Sequence, residues 1–187
     1  IPTGNRTMVV VPTLLESEKE LNHLLQELEL YYLSNPDQLL TYALLTDFGD
    51  APAERMPEDE QLLALASLGV KNLNKKYAHN ADAVPVPARE APPFYLFHRQ
   101  RQWNPSEGVW MGWERKRGKL HELARLLRGA LDTTFTTAHA AVLPEGVRYV
   151  VTLDADTRLP RDAVSRLVGG IAHPLNRACF DPALGRV

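Results

Sequence analysis

Four short apolar runs, each separated from the next by enough chain for a helix, constrain this sequence more than any other feature. The runs are Thr7–Val11, Leu39–Asp47, Phe94–His98 and Val147–Leu153. Continuous apolar runs of this length are typical of strands that are buried on both faces of a sheet. Strands that are joined through helices form parallel βαβ units. The pattern therefore predicts an α/β fold in which helices flank a mostly parallel sheet.

Four amphipathic segments with the spacing of helices follow these runs. The first opens with Ser17-Glu18-Lys19-Glu20, which has the form of a capping box, and ends near Asn35-Pro36. The second is predicted to begin at Pro57, the third to end at Gly129 and the fourth to begin at Pro160. The residues predicted to face the core are Leu21, Leu24, Leu25 and Leu28, then Leu62, Leu65, Ala66, Leu73 and Tyr77, then Leu120, Leu123, Ala124 and Leu127, and finally Val164, Leu167, Val168 and Ile171.

The composition is that of an ordinary folded protein. Of the 187 residues, 44% are hydrophobic and 24% are charged, which argues against a disordered or collagen-like chain. No apolar run approaches the roughly 20 residues of a transmembrane helix, so we expect the chain itself to be soluble. A net charge of -2 provides no general attraction to nucleic acid. Because the chain opens at Ile1 without an initiator methionine, we expect residues 1–187 to be part of a longer protein. The proline-rich stretch from Val84 to Pro93 is predicted to be a connector within it.

Two carboxylates, Asp154 and Asp156, directly follow the fourth apolar run. Ligands of parallel sheets bind beyond the carboxyl ends of the strands, so both side chains are candidates for a binding site. Paired carboxylates suit Mg²⁺ or Mn²⁺, which can bridge to substrate phosphates and neutralise a departing pyrophosphate group. The same residues could instead form a strand-to-helix turn in which Asp154 or Thr157 caps the next helix. Both interpretations stay open at this point.

A second enzyme class has the same string of residues from Asp154 to Thr157. In haloacid-dehalogenase-type phosphatases such a string follows the opening strand, and its first aspartate is the nucleophile and its second the acid/base. That fold needs a lysine and an acidic pair later in the chain. Here three strand–helix units precede the string and little sequence follows it. The phosphatase is therefore the less favoured alternative.

Other polar residues follow the remaining strands or begin a helix near them. Asp47 ends the second run, where it can accept hydrogen bonds from a base or ribose, or form an Asx turn. The cations from Arg115 to Lys119 lie at the predicted start of a helix, where the helix dipole disfavours positive charge. An anionic ligand explains cations at that position better than a solvated helix face does.

Several motifs occur together and in order along nearly the whole chain. They are Arg6–Thr13, Leu44–Phe48, Phe94–Arg99, Arg101 with Trp103-Asn104, Trp110–Leu120 and Thr152–Pro160. In this combination, and above all in the string from Trp113 to Leu120, the chain resembles the glycosyltransferase domain of the cyclic β-1,2-glucan synthase family. The members of this family are large proteins of the bacterial inner membrane.

The resemblance implies a GT-A fold, a UDP-glucose donor, Mg²⁺ or Mn²⁺, and inverting transfer of glucose to a growing β-1,2-glucan. The residues that it assigns to the nucleotide sugar are Pro12, Thr13, Asp47, Arg115, Lys119 and Asp154. The first three would line the uridine pocket. Asp154 and Asp156 would hold the metal, with Asp156 as its principal ligand.

The resemblance also implies partners beyond this chain. They are a glucan acceptor and the remainder of a membrane-embedded synthase at the cytoplasmic face of the bacterial inner membrane. Such transferases need a carboxylate base, and related processive synthases carry it and a Q-x-x-R-W motif after the paired aspartates. Neither is identifiable here, so we expect donor binding without sugar transfer by this chain alone. The alternative from a different class is a non-catalytic folded module for assembly or glucan binding.

Overall fold

A computed structural model describes residues 1–78, 92–136, 143–176 and 180–186 of the chain. Six strands and four α-helices lie within these residues. In chain order they are β1 (Thr7–Leu15), α1 (Glu18–Ser34), β2 (Leu40–Phe48), α2 (Asp59–Ala78), β3 (Phe94–His98), β4 (Gln102–Asn104), β5 (Val109–Met111), α3 (Arg115–Leu126), β6 (Tyr149–Thr152) and α4 (Ala163–Ala172). The connector predicted from Val84 to Pro93 lies outside the described residues except for its last two.

The main sheet has the strand order β3-β2-β1-β6, and all of its pairs are parallel. Strand β1 pairs with β2 from Thr7 opposite Leu40 to Leu15 opposite Phe48. Its other edge pairs with β6, but only as far as Val10 opposite Thr152. The predicted α/β fold with a mostly parallel sheet is confirmed, and the arrangement is Rossmann-like. The strand order reverses at β1, since the chain moves outward from β1 to β3 and then returns to the other side of β1 as β6.

Helices cover both faces of the sheet. Along β1, Val9 and Val11 belong to the hydrophobic core under α1, α2 and α4, whereas Met8 and Val10 belong to the core under α3. All nine residues of β2 are buried. Burial on both faces explains why these strands are continuous apolar runs in the sequence.

The end of the β1–β6 pairing accounts for a proline inside β1. Thr7 donates its backbone N–H to β2, through Leu39 O, and Val10 accepts from the β6 side, through Leu153 N. Backbone groups alternate along a strand, so an N–H at Pro12 would face the β6 side. Strand β6 no longer pairs there. Pro12 therefore costs the sheet no hydrogen bond, which is the usual condition for proline in a strand.

The inward faces predicted for α1 and α2 are confirmed, and Ser17 caps α1 by accepting a hydrogen bond from Glu20 N at 3.2 Å. Helix α2 begins at Asp59 rather than at Pro57, and a hydrogen bond from Met56 N to the Asp59 carboxylate closes the turn before it. In α3 the prediction that Ala124 faces the core is wrong, since this residue is exposed.

Helix α4 differs from its prediction at both its start and its face. It begins at Ala163 rather than at Pro160. Val164 and Val168 are buried as predicted, but the prediction for Leu167 and Ile171 is wrong, since both are exposed. The sheet that α4 covers stops at the short strand β6, so only part of the apolar stripe has a surface to pack against.

An antiparallel hairpin of β4 and β5, which the sequence analysis does not predict, follows β3. Each of its strands has only three residues, too few for a visible alternation. Backbone hydrogen bonds in both directions between Ala51 and Trp110, each 2.9 Å, attach the hairpin to the segment after β2. The hairpin therefore borders the carboxyl ends of the strands.

Candidate functional site

The predicted site residues lie around the carboxyl edge of the main sheet, near the point where the strand order reverses. Thr13 is in the last part of β1, Asp47 in the last part of β2, and Asp154 follows β6. The first turns of α3 extend over this edge, because Lys119 Nζ donates to Thr13 O at 2.6 Å. A reversal of strand order leaves a crevice between neighbouring strands, and open α/β sheets bind their ligands there.

Asp47 is almost completely buried, and two cations share its carboxylate. The Arg99 guanidinium contacts it through Nε and Nη2, at 2.8 and 2.9 Å, and Lys119 Nζ lies 3.0 Å from Oδ2. This bidentate arrangement matches the fork of a guanidinium to a carboxylate. Asp47 therefore forms no Asx turn, and its charge is neutralised inside the protein.

Arg99 uses all five of its N–H groups. Besides the two bonds to Asp47, it donates to Glu122 Oε2 at 3.2 Å and to the carbonyl oxygens of Trp113 and Arg115, each at 3.1 Å. Burial by itself would lower the pKa of Arg99, but the hydrogen bonds and charges of Asp47 and Glu122 raise it overall. Arg99 thus remains charged, and it holds the segment before α3 against the sheet.

Lys119 joins the ends of two strands from a buried position. Its ammonium group contacts Thr13 O and Leu45 O as well as the Asp47 carboxylate. Burial lowers the pKa of Lys119, and the nearby Asp47 opposes this shift. Lys119 is therefore directed at the strand ends and not at solvent. The resemblance implies a place near the nucleotide for Lys119, and the structure places this residue beneath the surface at the carboxyl edge of the sheet.

The segment before α3 is tightly packed, and two glycines make this possible. A Cβ on Gly112 would lie 2.7 Å from Asp47 Cγ, and a Cβ on Gly118 would lie 2.0 Å from Trp113 O. Between them, Glu114 and Arg115 have φ angles of 51° and 46°, in the left-handed region that non-glycine residues rarely adopt. Such strain persists only where surrounding contacts hold it, which is frequent at binding sites.

The remaining cations at the start of α3 are exposed and face carboxylates. Arg115 Nη2 contacts Asp50 at 2.8 Å and Glu107 at 2.7 Å. Lys116 forms an ion pair with Asp154. The helix has no acidic residue in its first turn and no side-chain cap, so its N-terminal N–H groups add to the positive potential. The predicted clustering of cations at a helix start is confirmed, and part of their charge is balanced by the protein's own carboxylates.

Asp154 and Asp156 lie in an exposed turn directly after β6. Thr157 N donates to Asp154 O within this turn, and Tyr31 OH of α1 donates to Thr157 O at 2.6 Å. Neither Asp154 nor Thr157 caps α4, because Asn35 Oδ1 accepts from Val164 N at 3.2 Å instead. The two aspartates are therefore free of a capping role.

A metal site made only of protein side chains is absent from the described parts of the chain. No group of three or more His, Cys, Asp or Glu residues there is arranged to hold a metal ion. Any cation bound by Asp154 and Asp156 would need further ligands from a substrate or from water.

A cavity of about 760 Å³ lies at the ends of β2 and β3, beside the crevice. Phe48, His98 and Arg101 line it, and Arg101 reaches a buried pair with Asp59, with Nη2 3.1 Å from Oδ1. None of the predicted nucleotide or metal residues lines this cavity. Its position on the far side of β2 separates it from Asp154.

The structural roles of Arg99 and Glu122 are not predicted from the sequence. Arg99 directly follows β3, and the pairing of Thr46 with His98 makes Asp47 and Arg99 neighbours across two strands. The available signal was a charged residue at the carboxyl end of each of two apolar runs, Asp47 at the end of the second run and Arg99 directly after the third. Glu122 gave no such signal, because its partners Arg99, Thr133 and Thr134 come together only in the folded protein.

The chain is similar to a glucan synthase. It is 47% identical over 182 residues, which are 97% of its length, to the cyclic beta-(1,2)-glucan synthase NdvB of Rhizobium meliloti (strain 1021). The chain spans 6% of that protein's length. This similarity supports the resemblance that the motifs indicate.

No family model matches this chain. Among the helices that the structure describes, none combines the length and the apolar character needed to cross a membrane.

Proposed function

We propose that this chain is the nucleotide-sugar-binding part of a glycosyltransferase with a GT-A fold that uses UDP-glucose in glucan synthesis. The observation that carries the proposal is the position of Asp154 and Asp156 at the reversal of strand order, opposite the cationic start of α3. Similarity to a glucan synthase supports the same assignment. The glucan acceptor, the rest of the synthase and its place at the cytoplasmic face of the inner membrane belong to this proposal too.

The residues present fit Mg²⁺ or Mn²⁺ only together with a substrate. Mg²⁺ is commonly held by one or two carboxylates, with substrate phosphates and water as its other ligands. Two exposed carboxylates at one strand end match that donor set. When bound, the metal would neutralise charge on the departing diphosphate.

The cations of α3 would act on the same diphosphate. Lys116 already reaches Asp154, so it can contact an anion bound beside that carboxylate. Lys116 lies in the first turn of α3, where the backbone N–H groups of a helix favour negative charge. Arg115 is less available to the diphosphate, because Asp50 and Glu107 already pair with its positive charge.

The role that we propose for Asp47, Arg99 and Lys119 is to position the strand ends and the segment before α3. Their buried network holds the ends of β1 and β2 together and attaches the segment before α3 to the sheet. Pro12 is buried and Thr13 half-buried in the last part of β1, so Thr13 is the more accessible to a uridine. Contact of Pro12, Thr13 and Asp47 with the uridine stays a prediction.

Titration with UDP, with and without Mn²⁺, tests the proposal. We expect UDP to bind when Mn²⁺ is present, and to bind roughly tenfold more weakly, about 1.4 kcal/mol, without the metal or in Asp156→Asn. Asp162→Asn is the matched control, since Asp162 is a half-buried aspartate outside the site and asparagine tolerates its left-handed φ of 57°. Calorimetry on the folded variants measures each affinity.

The proposal fails if UDP binds equally well without metal and in Asp156→Asn. Binding of a glucan with no response to UDP would favour the non-catalytic module. Release of phosphate from a phosphomonoester, abolished by Asp154→Asn, would favour the phosphatase.

A further inference from the structure

All three tryptophans of the chain lie between residues 103 and 113, at the hairpin and the segment after it. Trp103 and Trp110 face each other across the hairpin, with ring centroids 6.0 Å apart. Trp103 is 50% exposed and Trp113 is 49% exposed. Single exposed aromatic residues need no explanation, but two of the largest side chains, exposed together beside a cavity, mark a binding surface.

Trp103 and Trp113 line one cavity of about 560 Å³, within the range of ligand pockets. Gln102 and Trp113 also line a second cavity, of about 270 Å³, which extends toward His121 and Thr134. Because Gln102 and Trp113 line both, the two cavities adjoin at these side chains. We call the two adjoining cavities together the tryptophan groove. An extended ligand fits this shape better than a compact one.

The charged side chains that line the groove are paired with opposite charges. Glu107 is paired with Arg115, and Glu114 with Arg117, each at 2.7 Å. In the second cavity Asp132 is paired with Arg125 at 2.6 Å, and Glu122 with the buried Arg99 at 3.2 Å. Gln102 and Asn104 add uncharged amide groups. A strongly charged ligand would find no unbalanced partner among these side chains, so the lining favours a neutral ligand with many hydroxyl groups.

Aromatic faces combined with amide and paired charged groups match the chemistry of a sugar chain. The ring face of a tryptophan is electron-rich, and the C–H groups on one face of a pyranose are weakly electropositive. The hydroxyl groups around the sugar edge both donate and accept hydrogen bonds, as amides and carboxylates do. An oligosaccharide can therefore stack on Trp103 and Trp113 while its hydroxyl groups reach the polar lining.

The groove lies directly beside the site proposed for the donor. Arg115 lines the groove, and the next residue, Lys116, contacts Asp154. A sugar chain in the groove would thus end near the paired aspartates. We infer that the tryptophan groove binds a neutral gluco-oligosaccharide and presents the glucan acceptor to the donor site. The binding of the sugar stands by itself, whereas its role as acceptor rests on the proposed function.

Titration with a linear β-1,2-linked gluco-oligosaccharide, followed by calorimetry and tryptophan fluorescence, tests this inference. Trp113→Ala is the main variant, because Trp113 lies outside the hairpin and its backbone carbonyl keeps the bond from Arg99. We expect its affinity to fall about tenfold and Trp113→Phe, which keeps an aromatic face, to retain most of it. Phe180→Ala is the control, since it removes an exposed aromatic side chain elsewhere and should leave binding unchanged.

Trp103→Ala is the second variant, with circular dichroism to check the hairpin, because Trp103 also supports the pairing with Trp110. The inference is overturned if the wild-type chain does not bind the oligosaccharide at millimolar concentration. It is equally overturned if binding is unchanged in both Trp113→Ala and Trp103→Ala, or falls as much in Phe180→Ala.

Parallel titration with UDP and Mn²⁺ separates the two proposals. UDP binding without oligosaccharide binding would refute the groove and leave the donor proposal intact. Oligosaccharide binding that depends on Trp113, without UDP binding, would refute the donor proposal and leave the groove as a glucan-binding surface.

Discussion

Replacing Arg99 by methionine should destabilise the fold far more than the loss of an exposed arginine. The Arg99 side chain is fully buried, and its five N–H groups all have acceptors. Methionine would fill much of the same space but would leave the Asp47 carboxylate with Lys119 alone and remove one partner of Glu122. The variant therefore isolates the charge and hydrogen bonds of Arg99 from its packing.

Removal of one partner from a buried ion pair costs about 3–5 kcal/mol, because the other charge stays buried without compensation. For a chain of this size, each kcal/mol lowers the melting temperature by about 2–4 °C, so we expect a decrease of roughly 6–20 °C. Arg125→Met is the matched control, because Arg125 pairs with Asp132 on the surface. Exposed pairs of this kind contribute about 0–1 kcal/mol.

Urea unfolding followed by far-UV circular dichroism measures both free energies of unfolding. Arg99→Lys should recover only part of the loss, since an ammonium group has three donors in place of five. The role of the network would be refuted if Arg99→Met lowers the free energy of unfolding by less than about 1 kcal/mol, because an exposed pair can contribute that much.

Two further predictions concern packing and pH. Gly112→Ala places a Cβ 2.7 Å from Asp47 Cγ and should lower the free energy of unfolding, measured in urea, by about 1–3 kcal/mol. Gly169→Ala in α4 is the comparison, because its Cβ would meet no atom within 4 Å, and this variant should raise the free energy of unfolding by about 0.5–1 kcal/mol. Burial and the hydrogen bond to Glu29 raise the pKa of Tyr77 above its ordinary 10.0, so the folded state keeps its proton where the unfolded chain loses it. The stability advantage of the wild-type chain over Tyr77→Phe should thus be complete below pH 10 and shrink above it, and an advantage that is constant from pH 8 to 11 would contradict this.

The parallel sheet was predictable because three of its four strands, β1, β2 and β3, are largely buried on both faces. Strand β3 has the predicted bounds, Phe94–His98, and β2 differs by one residue at each end. The hairpin was not predictable, since three-residue strands have no periodicity to detect. The exposed stripe of α4 was misjudged because spacing indicates an apolar face but not the extent of the surface beneath it.

The location of the candidate site was predictable from the sequence, but the buried contacts beneath it were not all predictable. The rule that ligands bind at the carboxyl ends of strands is enough to place Asp154 and Asp156 together with the end of β1. Strand register gave a signal for the pairing of Asp47 with Arg99, but none for Lys119, which joins them only through the docking of α3. A contact that depends on the docking of a helix has no local signature in the sequence.

The pairing of β6 with β1 also has a consequence for synthesis on the ribosome. Strands β1, β2 and β3 and their helices emerge first and can assemble before residue 149 has been made. Until then, none of the strands that the structure describes pairs with the edge of β1 from Thr7 to Val10. An unpaired apolar edge can pair with a strand of another nascent chain, so slow translation between β3 and β6 would increase aggregation. Strand β6 thus covers this edge of β1 and also leads into the turn that carries Asp154 and Asp156.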